Sequence, residues 1–193
     1  MPRLGPRDAL PYRPSRVLVG GSSGSGKSTL AREICKRADL PYTEIGALYH
    51  GPGWTVRPDF LADVETLSAQ PRWVTEYQYA QARQVLLARC DLVVYLLLPR
   101  ALVMRRVVRR TVRRSLHREA LWNDNIEPPL HTLLTARDHI IRWAWRTHGQ
   151  GPARVDEIAA GFPQLPIVVL RSPREATEWT LGPLADQARR ATM

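Results

Sequence analysis

Gly21-Ser-Ser-Gly-Ser-Gly-Lys-Ser28 is the stretch of sequence that decides the fold. It fits the pattern G-x-x-x-x-G-K-[ST] at every fixed position, and this pattern describes a loop whose backbone N–H groups surround phosphate oxygens. An apolar run, Val17-Leu18-Val19, precedes the loop, and good helix formers follow it over Lys27–Ala38. A chance glycine-serine loop would not usually lie between a strand and a helix, so the context favours phosphate binding.

The loop predicts that the chain binds a nucleoside triphosphate together with Mg²⁺. Lys27 is expected to reach the β- and γ-phosphates and to act in catalysis, and the Ser28 hydroxyl is placed to ligate the metal. The residues predicted to contact the nucleotide are Gly21, Ser22, Ser23, Gly24, Ser25, Gly26, Lys27, Ser28 and Thr29.

Strand-like and helix-like segments alternate along the chain, which predicts an α/β fold with a parallel sheet and helices on both faces. The predicted strands are Val17–Val19, Pro41–Ile45, Arg72–Thr75, Leu92–Leu98 and Ile167–Leu170. The predicted helices are Lys27–Ala38, Pro58–Ala69, Ala80–Cys90, Pro99–His117, Leu130–Thr147, Ala153–Ala160 and Pro173–Trp179. We expect a flexible lead-in over residues 1–15 and a single domain over residues 16–193.

The composition is that of a globular protein with an excess of positive charge. Basic residues number 28 and acidic residues 18, which gives a formal net charge of +10. Apart from Lys27 and Lys36 the basic residues are arginines, which fits either an arginine-biased coding sequence or a surface that attracts phosphates. Cys35 and Cys90 lack the spacing of a zinc site and are expected to be reduced thiols. The apolar run Leu92–Leu98 is too short to span a bilayer, so we expect a cytoplasmic protein without membrane association.

Glu76 is the candidate magnesium carboxylate. It ends the predicted strand Arg72–Thr75, and ligands in open α/β sheets bind beyond the carboxyl ends of the strands. Phosphate-binding loops need a carboxylate across the sheet that orders the metal. The alternative interpretation is a solvated charge in a loop.

A second candidate surface follows the predicted strand Pro41–Ile45. Glycines and a proline alternate there with Tyr49, His50 and Trp54. Glycines allow close approach and aromatic rings allow stacking, so these three residues are candidates for binding an acceptor molecule. A core-covering loop with one buried ring is an equally good interpretation.

Eight arginines lie between Arg100 and Arg118, with no acidic residue among them. Met104, Val108 and Val112 repeat every four residues and are expected to form the apolar stripe of this helix. Some of the remaining positions should then face the cleft, where guanidinium groups stabilise charge on a transferred phosphoryl group. The candidates are Arg109 and Arg110 for substrate binding and Arg113 and Arg114 for catalysis. A groove for a nucleic-acid backbone and a solvated helix face remain as alternatives.

Several segments, read in order, resemble one family. They are the phosphate-binding loop, Ala-Leu-Tyr-His-Gly-Pro-Gly-Trp (47–54), Arg-Trp-Val-Thr-Glu (72–76), Leu-Pro-Arg (98–100), Val-Val-Arg-Arg-Thr-Val-Arg-Arg (107–114), Leu-Trp-Asn-Asp-Asn-Ile-Glu-Pro (121–128), Arg-Trp-Ala-Trp-Arg-Thr-His (142–148) and Leu-Arg-Ser (170–172). Over Arg16 to Leu181 the chain resembles the small P-loop kinase-like proteins known as DNA topology modulation proteins or flagellin-expression regulators, which are related to adenylate kinase.

The resemblance implies a P-loop NTPase three-layer sandwich like that of nucleoside monophosphate kinases. It also implies an arginine-rich helix that leads into a lid-like segment at about residues 113–130. Two positions depart from the family pattern, because Gly46 and Leu97 stand where the family has aspartates. The first aspartate would bind the acceptor hydroxyl or the metal. Its absence leaves ATP binding intact and puts transfer to an acceptor in question.

These observations favour an ATP-dependent phosphotransferase that acts on a small acceptor, such as a nucleotide or a nucleoside. A nucleotide-binding regulatory protein with little turnover is the first alternative, because of Gly46. A protein that binds nucleic acid, or phosphorylates its ends, is the second.

Overall fold

The computed structural model describes residues 3–117, 120–126 and 140–190. At its centre is a sheet of five parallel strands in the order β1-β5-β4-β2-β3. The strands are β1 (Arg3–Leu4), β2 (Arg16–Gly21), β3 (Trp73–Glu76), β4 (Leu92–Leu96) and β5 (Ile167–Leu170). The prediction of a five-stranded parallel α/β fold is confirmed.

Helices flank the sheet between these strands. They are α1 (Lys27–Ala38), α2 (Ile45–Tyr49), α3 (Phe60–Ala69), α4 (Ala80–Arg89), α5 (Arg100–His117), α6 (Ile140–Thr147), α7 (Gly151–Gly161), α8 (Pro173–Leu181) and α9 (Pro183–Arg190). Short 3₁₀ turns lie at Pro52–Trp54, Trp122–Asp124 and His148–Gln150. Residues 118–119 and 127–139, which hold part of the predicted lid and the first part of the helix predicted from Leu130, lie outside the described residues.

The sheet separates two apolar layers. Successive residues of β2 alternate between them, since Val17 and Val19 belong to one buried cluster and Leu18 to the other. The first cluster takes its helical residues from α1, α5, α6, α8 and α9, and the second from α2, α3, α4 and α7. Strands buried on both faces read as continuous apolar runs, which is why the strand signal was strong in the sequence.

The strand predicted over Pro41–Ile45 is wrong, and the fifth strand lies elsewhere. Tyr42 makes a single parallel bridge to Val74, and the chain turns into α2 at Ile45. Pro41 has no N–H to donate to a ladder, so the pairing does not extend. The opposite edge of the sheet is formed by β1, whose residues pair with β5.

The predicted lead-in over residues 1–15 is packed onto the domain where the structure describes it. Besides β1, this segment contributes Leu10, which is buried in the first apolar cluster. The Tyr12 hydroxyl donates to the carbonyl of Asp91 at 2.7 Å. The segment from Arg3 onward therefore belongs to the fold.

The buried stripe of α5 is shifted by one position along the helix from the predicted one. Val103, Val107 and Thr111 are buried, whereas Val108 is 41% exposed. Two apolar series with the same four-residue spacing run along this helix, and spacing alone cannot choose between them. Contact with the phosphate-binding loop decides which series is buried. Val107 packs so closely on the loop that a Cβ added to Gly24 would lie 2.3 Å from Val107 Cγ2.

Candidate functional site

A cleft of about 1170 Å³ opens at the carboxyl ends of β2 and β3. Its lining comes from the phosphate-binding loop, from one side of α5 and from the segments that follow α2 and β3. The topology thus gathers sequence motifs that are far apart along the chain at one end of the sheet, as expected for an open α/β fold.

The loop between β2 and α1 has the geometry of an anion cradle. Gly21, Gly24 and Gly26 have φ values of 144°, 81° and 98°, a region that residues with a Cβ rarely adopt. Gly26 caps α1 without any side-chain hydrogen bond, so no side chain of the cap covers the first N–H groups of the helix. The Ser25 hydroxyl is buried and has no hydrogen-bond partner. These features fit the triphosphate of a nucleotide.

Lys27 begins α1, and its ammonium group turns back onto the loop. Nζ donates a hydrogen bond to the carbonyl of Ser22 at 3.2 Å. Burial lowers the pKa of Lys27 to about 8, while nearby Glu76 acts in the opposite direction and Arg110 lowers the pKa further. The surroundings therefore stabilise the charged form of Lys27 only in part, and a bound phosphate would stabilise it further.

The two predicted metal ligands, Ser28 and Glu76, lie close together with Tyr42 between them. Glu76 is only 2% exposed; its Oε2 accepts from the backbone N–H of Ile45 at 3.0 Å, and its Oε1 accepts from the Tyr42 hydroxyl. That hydroxyl also interacts with the Ser28 side chain. Burial and Glu76 raise the pKa of Tyr42, so its hydroxyl stays protonated and can donate.

Ser28 and Glu76 fit Mg²⁺ better than they fit a metal ion whose ligands all come from the protein. No group of three or more His, Cys, Asp or Glu residues forms a metal site in the described part of the chain. Mg²⁺ is commonly held by one or two protein ligands together with substrate phosphates and water. Ser28 and Glu76 beside a phosphate cradle match that pattern.

The arginines of α5 divide into two rows because of the register of this helix. Arg106, Arg110 and Arg114 line the cleft. Arg106 donates to the carbonyl of Ser25 at 3.2 Å, and Arg110 donates to the Ser23 hydroxyl at 3.4 Å. The other row, Arg105, Arg109 and Arg113, is exposed. Of the predicted arginines, Arg110 and Arg114 thus lie in the cleft row and Arg109 and Arg113 in the exposed row. The cleft row also contains Arg106, which the sequence did not single out.

Of the three predicted aromatic residues, His50 and Trp54 line the cleft. Tyr49 does not, because its ring stacks on Tyr79 at 3.7 Å and meets the edge of Phe60 at 4.9 Å. In this structure Tyr49 therefore makes packing contacts with neighbouring rings. Tyr79, which sequence reasoning missed, lines the cleft, and its hydroxyl lies 3.0 Å from His50 Nε2.

Two similar turns close the aromatic end of the cleft, which His50, Trp54 and Trp122 line. His50 bridges Val56 around one 3₁₀ turn, and Ala120 bridges Ile126 around the other. Asn125, which is buried, joins them, because its Oδ1 accepts from the N–H of Trp54 at 2.8 Å and its Nδ2 donates to the carbonyl of Gly51 at 2.8 Å. The second turn belongs to the predicted lid, but nothing in the sequence indicated its partner.

The fold matches that of solved P-loop kinases. A gluconokinase from Sinorhizobium meliloti 1021 superposes with a TM-score of 0.50 at 19% sequence identity, over 94% of this chain and 95% of that chain. A shikimate kinase from Acinetobacter baumannii in complex with shikimate has a TM-score of 0.45 at 19% identity, over 92% of this chain and 90% of that chain. At such identities the likeness concerns the fold alone. No protein-family model and no curated protein sequence matches the chain.

No helix in the described ranges has the length and apolar character needed to cross a membrane.

The space beside Gly46, where the resemblance led us to expect an aspartate, is filled by an indole ring. A Cβ added to Gly46 would lie 2.6 to 2.8 Å from three atoms of the Trp122 ring. Gly46 is buried in α2, and Trp122 comes from the second turn. Leu97, the other departure, packs against Gly151. An aspartate at position 46 would therefore require the Trp122 ring to move.

We expect Gly46→Ala to lower the free energy of unfolding by about 1 to 3 kcal/mol, since overpacking of a tight contact has this cost. Urea denaturation followed by tryptophan fluorescence measures it. Gly161→Ala is the control, because a Cβ at Gly161 meets no atom within 4 Å. Equal stability of the two variants would contradict the contact between Gly46 and Trp122.

Proposed function

We propose that this chain is an ATP-dependent phosphotransferase that moves the γ-phosphoryl group of ATP to a hydroxyl of a small acceptor. The observation that carries the proposal is the single cleft, in which a phosphate cradle and an aromatic pocket open onto each other. Arginines from α5 line the same cleft. A nucleotide-binding protein without an acceptor would not need the aromatic end.

In this proposal the loop amides and Lys27 hold the β- and γ-phosphates. Arg106, Arg110 and Arg114 stabilise the charge that develops on the transferred group. Ser28 and Glu76 hold Mg²⁺, which neutralises phosphate charge when it is bound. Catalysis is then mostly positioning and charge stabilisation.

The reaction balances without any further reactant. The acceptor oxygen forms a bond to the γ-phosphorus, and the bond from that phosphorus to the β–γ bridging oxygen breaks. ADP leaves with the electron pair of that bond, and the acceptor hydroxyl loses its proton. The products are ADP, a phosphorylated acceptor and one proton.

The test is ADP release from Mg-ATP with a panel of acceptors. The panel contains nucleosides, nucleoside monophosphates, a 5′-hydroxyl oligonucleotide and D-gluconate, the last because one protein of this fold is named a gluconokinase. We expect one acceptor class to stimulate release at least about tenfold over ATP alone, in the range that positioning of an acceptor provides.

The remaining outcomes separate the alternatives. Release that stays slow with every acceptor, despite measurable ATP binding, would favour a nucleotide-binding regulatory protein and overturn the proposal. Stimulation by the oligonucleotide alone would indicate a nucleic-acid-end kinase.

A further inference from the structure

His50 lies one helical turn after Gly46, a residue without a side chain. Its backbone N–H donates to the carbonyl of Gly46 at 3.0 Å, which is the contact of residues four apart on a helix. Side chains at such positions lie on the same side of the helix. His50 is therefore a polar group on the face that Gly46 leaves without a side chain.

The surroundings of the imidazole fix its orientation. Its ring is parallel to the Trp122 indole, at 9° with centroids 5.3 Å apart, and Trp54 meets it at 84° and 5.0 Å. On the ring's other side, Nε2 lies 3.0 Å from the Tyr79 hydroxyl oxygen. With Tyr49, which meets the ring at 5.0 Å, the imidazole is held by four aromatic neighbours and keeps one orientation, as a general base requires.

The second ring nitrogen of His50 has no partner. Nδ1 is buried and makes no hydrogen bond, although His50 lines the cleft that also contains Lys27 and Glu76. Buried polar atoms of proteins are nearly always hydrogen-bonded, so an unpaired one at a ligand cleft indicates a missing ligand group. Tyr79 meanwhile has φ of 55° and ψ of 113°, a strained backbone of the kind found at functional sites.

We propose that His50 binds the acceptor hydroxyl through Nδ1 and takes its proton during phosphoryl transfer, a role that rests on the proposed phosphotransferase activity. Nε2–H donates to the Tyr79 oxygen and so leaves the lone pair on Nδ1. The acceptor oxygen bonds to the γ-phosphorus, its proton moves to Nδ1, and ADP leaves. Water then removes the proton from the imidazolium after the product departs.

The groups that face the ring suit this role. Burial lowers the pKa of His50, so the imidazole is neutral near pH 7 and can accept a proton. Tyr79 has its pKa raised mainly by burial and stays protonated. Tyr49 is the other titratable side chain among the described residues that meet the ring. The Trp122 face stabilises the imidazolium once it forms.

The test compares wild type with His50→Gln, using the acceptor of the panel that stimulates ADP release most. We expect kcat to fall about 10²-fold, the lower end of what a general base contributes. The wild-type kcat should decrease at a pH below the ordinary histidine pKa of about 6.5, because burial lowers the pKa of His50, and the variant should lack this decrease. The Kd for ATP, measured by calorimetry, should stay within about twofold because the cradle does not use His50.

His148→Gln is the matched control, since Nε2 of His148 bonds the carbonyl of Leu98 at 2.9 Å and a glutamine can still donate there. It should keep both the rate and the pH profile. Tyr79→Phe should reduce kcat less than His50→Gln does, because Tyr79 only orients the ring. Its kcat should still decrease at low pH.

The outcomes distinguish the two proposals. If His50→Gln keeps acceptor-stimulated ADP release and its kcat still decreases at low pH, the role of His50 is overturned and the phosphotransferase proposal remains. A variant that no longer binds ATP also overturns it, because the effect would then be structural. No stimulation in wild type overturns both.

Discussion

Lys27→Ala is expected to lower kcat for ADP release by about 10³-fold, the upper end of the cost of removing one preorganised charge-stabilising donor. Lys27 begins α1 inside the cradle, and its Nζ lies on the loop carbonyl of Ser22. A group in that position would reach the phosphates whose charge grows in the transition state. Alanine retains the helix start, because it has a high helix propensity.

An ATP-binding experiment tests the role of Lys27 without requiring turnover. The pKa of Lys27 is lowered to about 8, mainly by burial. A bound triphosphate would raise it again, so ATP binding should take up a proton wherever the free protein holds neutral lysine. The neutral fraction follows from this pKa: roughly 0.1 at pH 7 and roughly 0.5 at pH 8. Proton uptake should therefore increase as pH rises from 7 to 8.

Calorimetry of ATP binding in buffers of different ionisation enthalpy measures this uptake. Lys27→Ala should lose it. Lys36→Ala should keep it, because Lys36 is the other lysine of the chain and is exposed on the same helix. Uptake that persists in Lys27→Ala would assign the proton to a different group and would remove the main electrostatic argument for Lys27.

The parts of this fold that could be predicted from the sequence are those with local signals. The phosphate-binding loop needs glycines at fixed positions, and Gly21, Gly24 and Gly26 indeed adopt left-handed backbone angles. Buried parallel strands such as Leu92–Leu96 are continuous apolar runs, which are visible without knowledge of their neighbours. The first edge strand has two residues only and no such signal.

The parts that could not be predicted depend on contacts between distant segments. Tyr42 lies between Ser28 and Glu76 because a single bridge to Val74 brings it alongside β3. Trp122, which is 76 positions further along the chain, fills the space beside Gly46. The sequence shows a glycine at position 46, but only the fold shows what occupies the space beside it.

The register of α5 gives the second large prediction, which contrasts two neighbouring arginines. Arg110→Ala is expected to lower kcat by about 10²- to 10³-fold, as the loss of a charge-stabilising donor does. Arg109→Ala should change kcat less than about twofold, because an exposed charge contributes little to a site it does not face. The two variants remove the same side chain from successive positions, so composition, net charge and helix propensity change equally.

The reason for the contrast is the buried stripe of the helix. Val103 and Val107 pack into the core, and Val107 lies against Gly24 of the loop. This contact turns Arg106 and Arg110 toward the loop, which each reaches with a hydrogen bond. A guanidinium group anchored there also keeps the planar fork that a phosphoryl group accepts, so Arg110→Lys should recover only part of the rate.

Steady-state kinetics with the stimulating acceptor, together with the melting temperature of each variant, measure the contrast. Similar melting temperatures would show that Arg110→Ala affects the site and not the fold. If Arg109→Ala were as slow as Arg110→Ala, the apolar stripe would have to be Met104, Val108 and Val112, with the whole helix rotated by about 100°, one residue of an α-helix. That rotation would withdraw Val107 from Gly24, so the kinetic contrast tests the packing of the phosphate-binding loop as directly as it tests the role of the arginine.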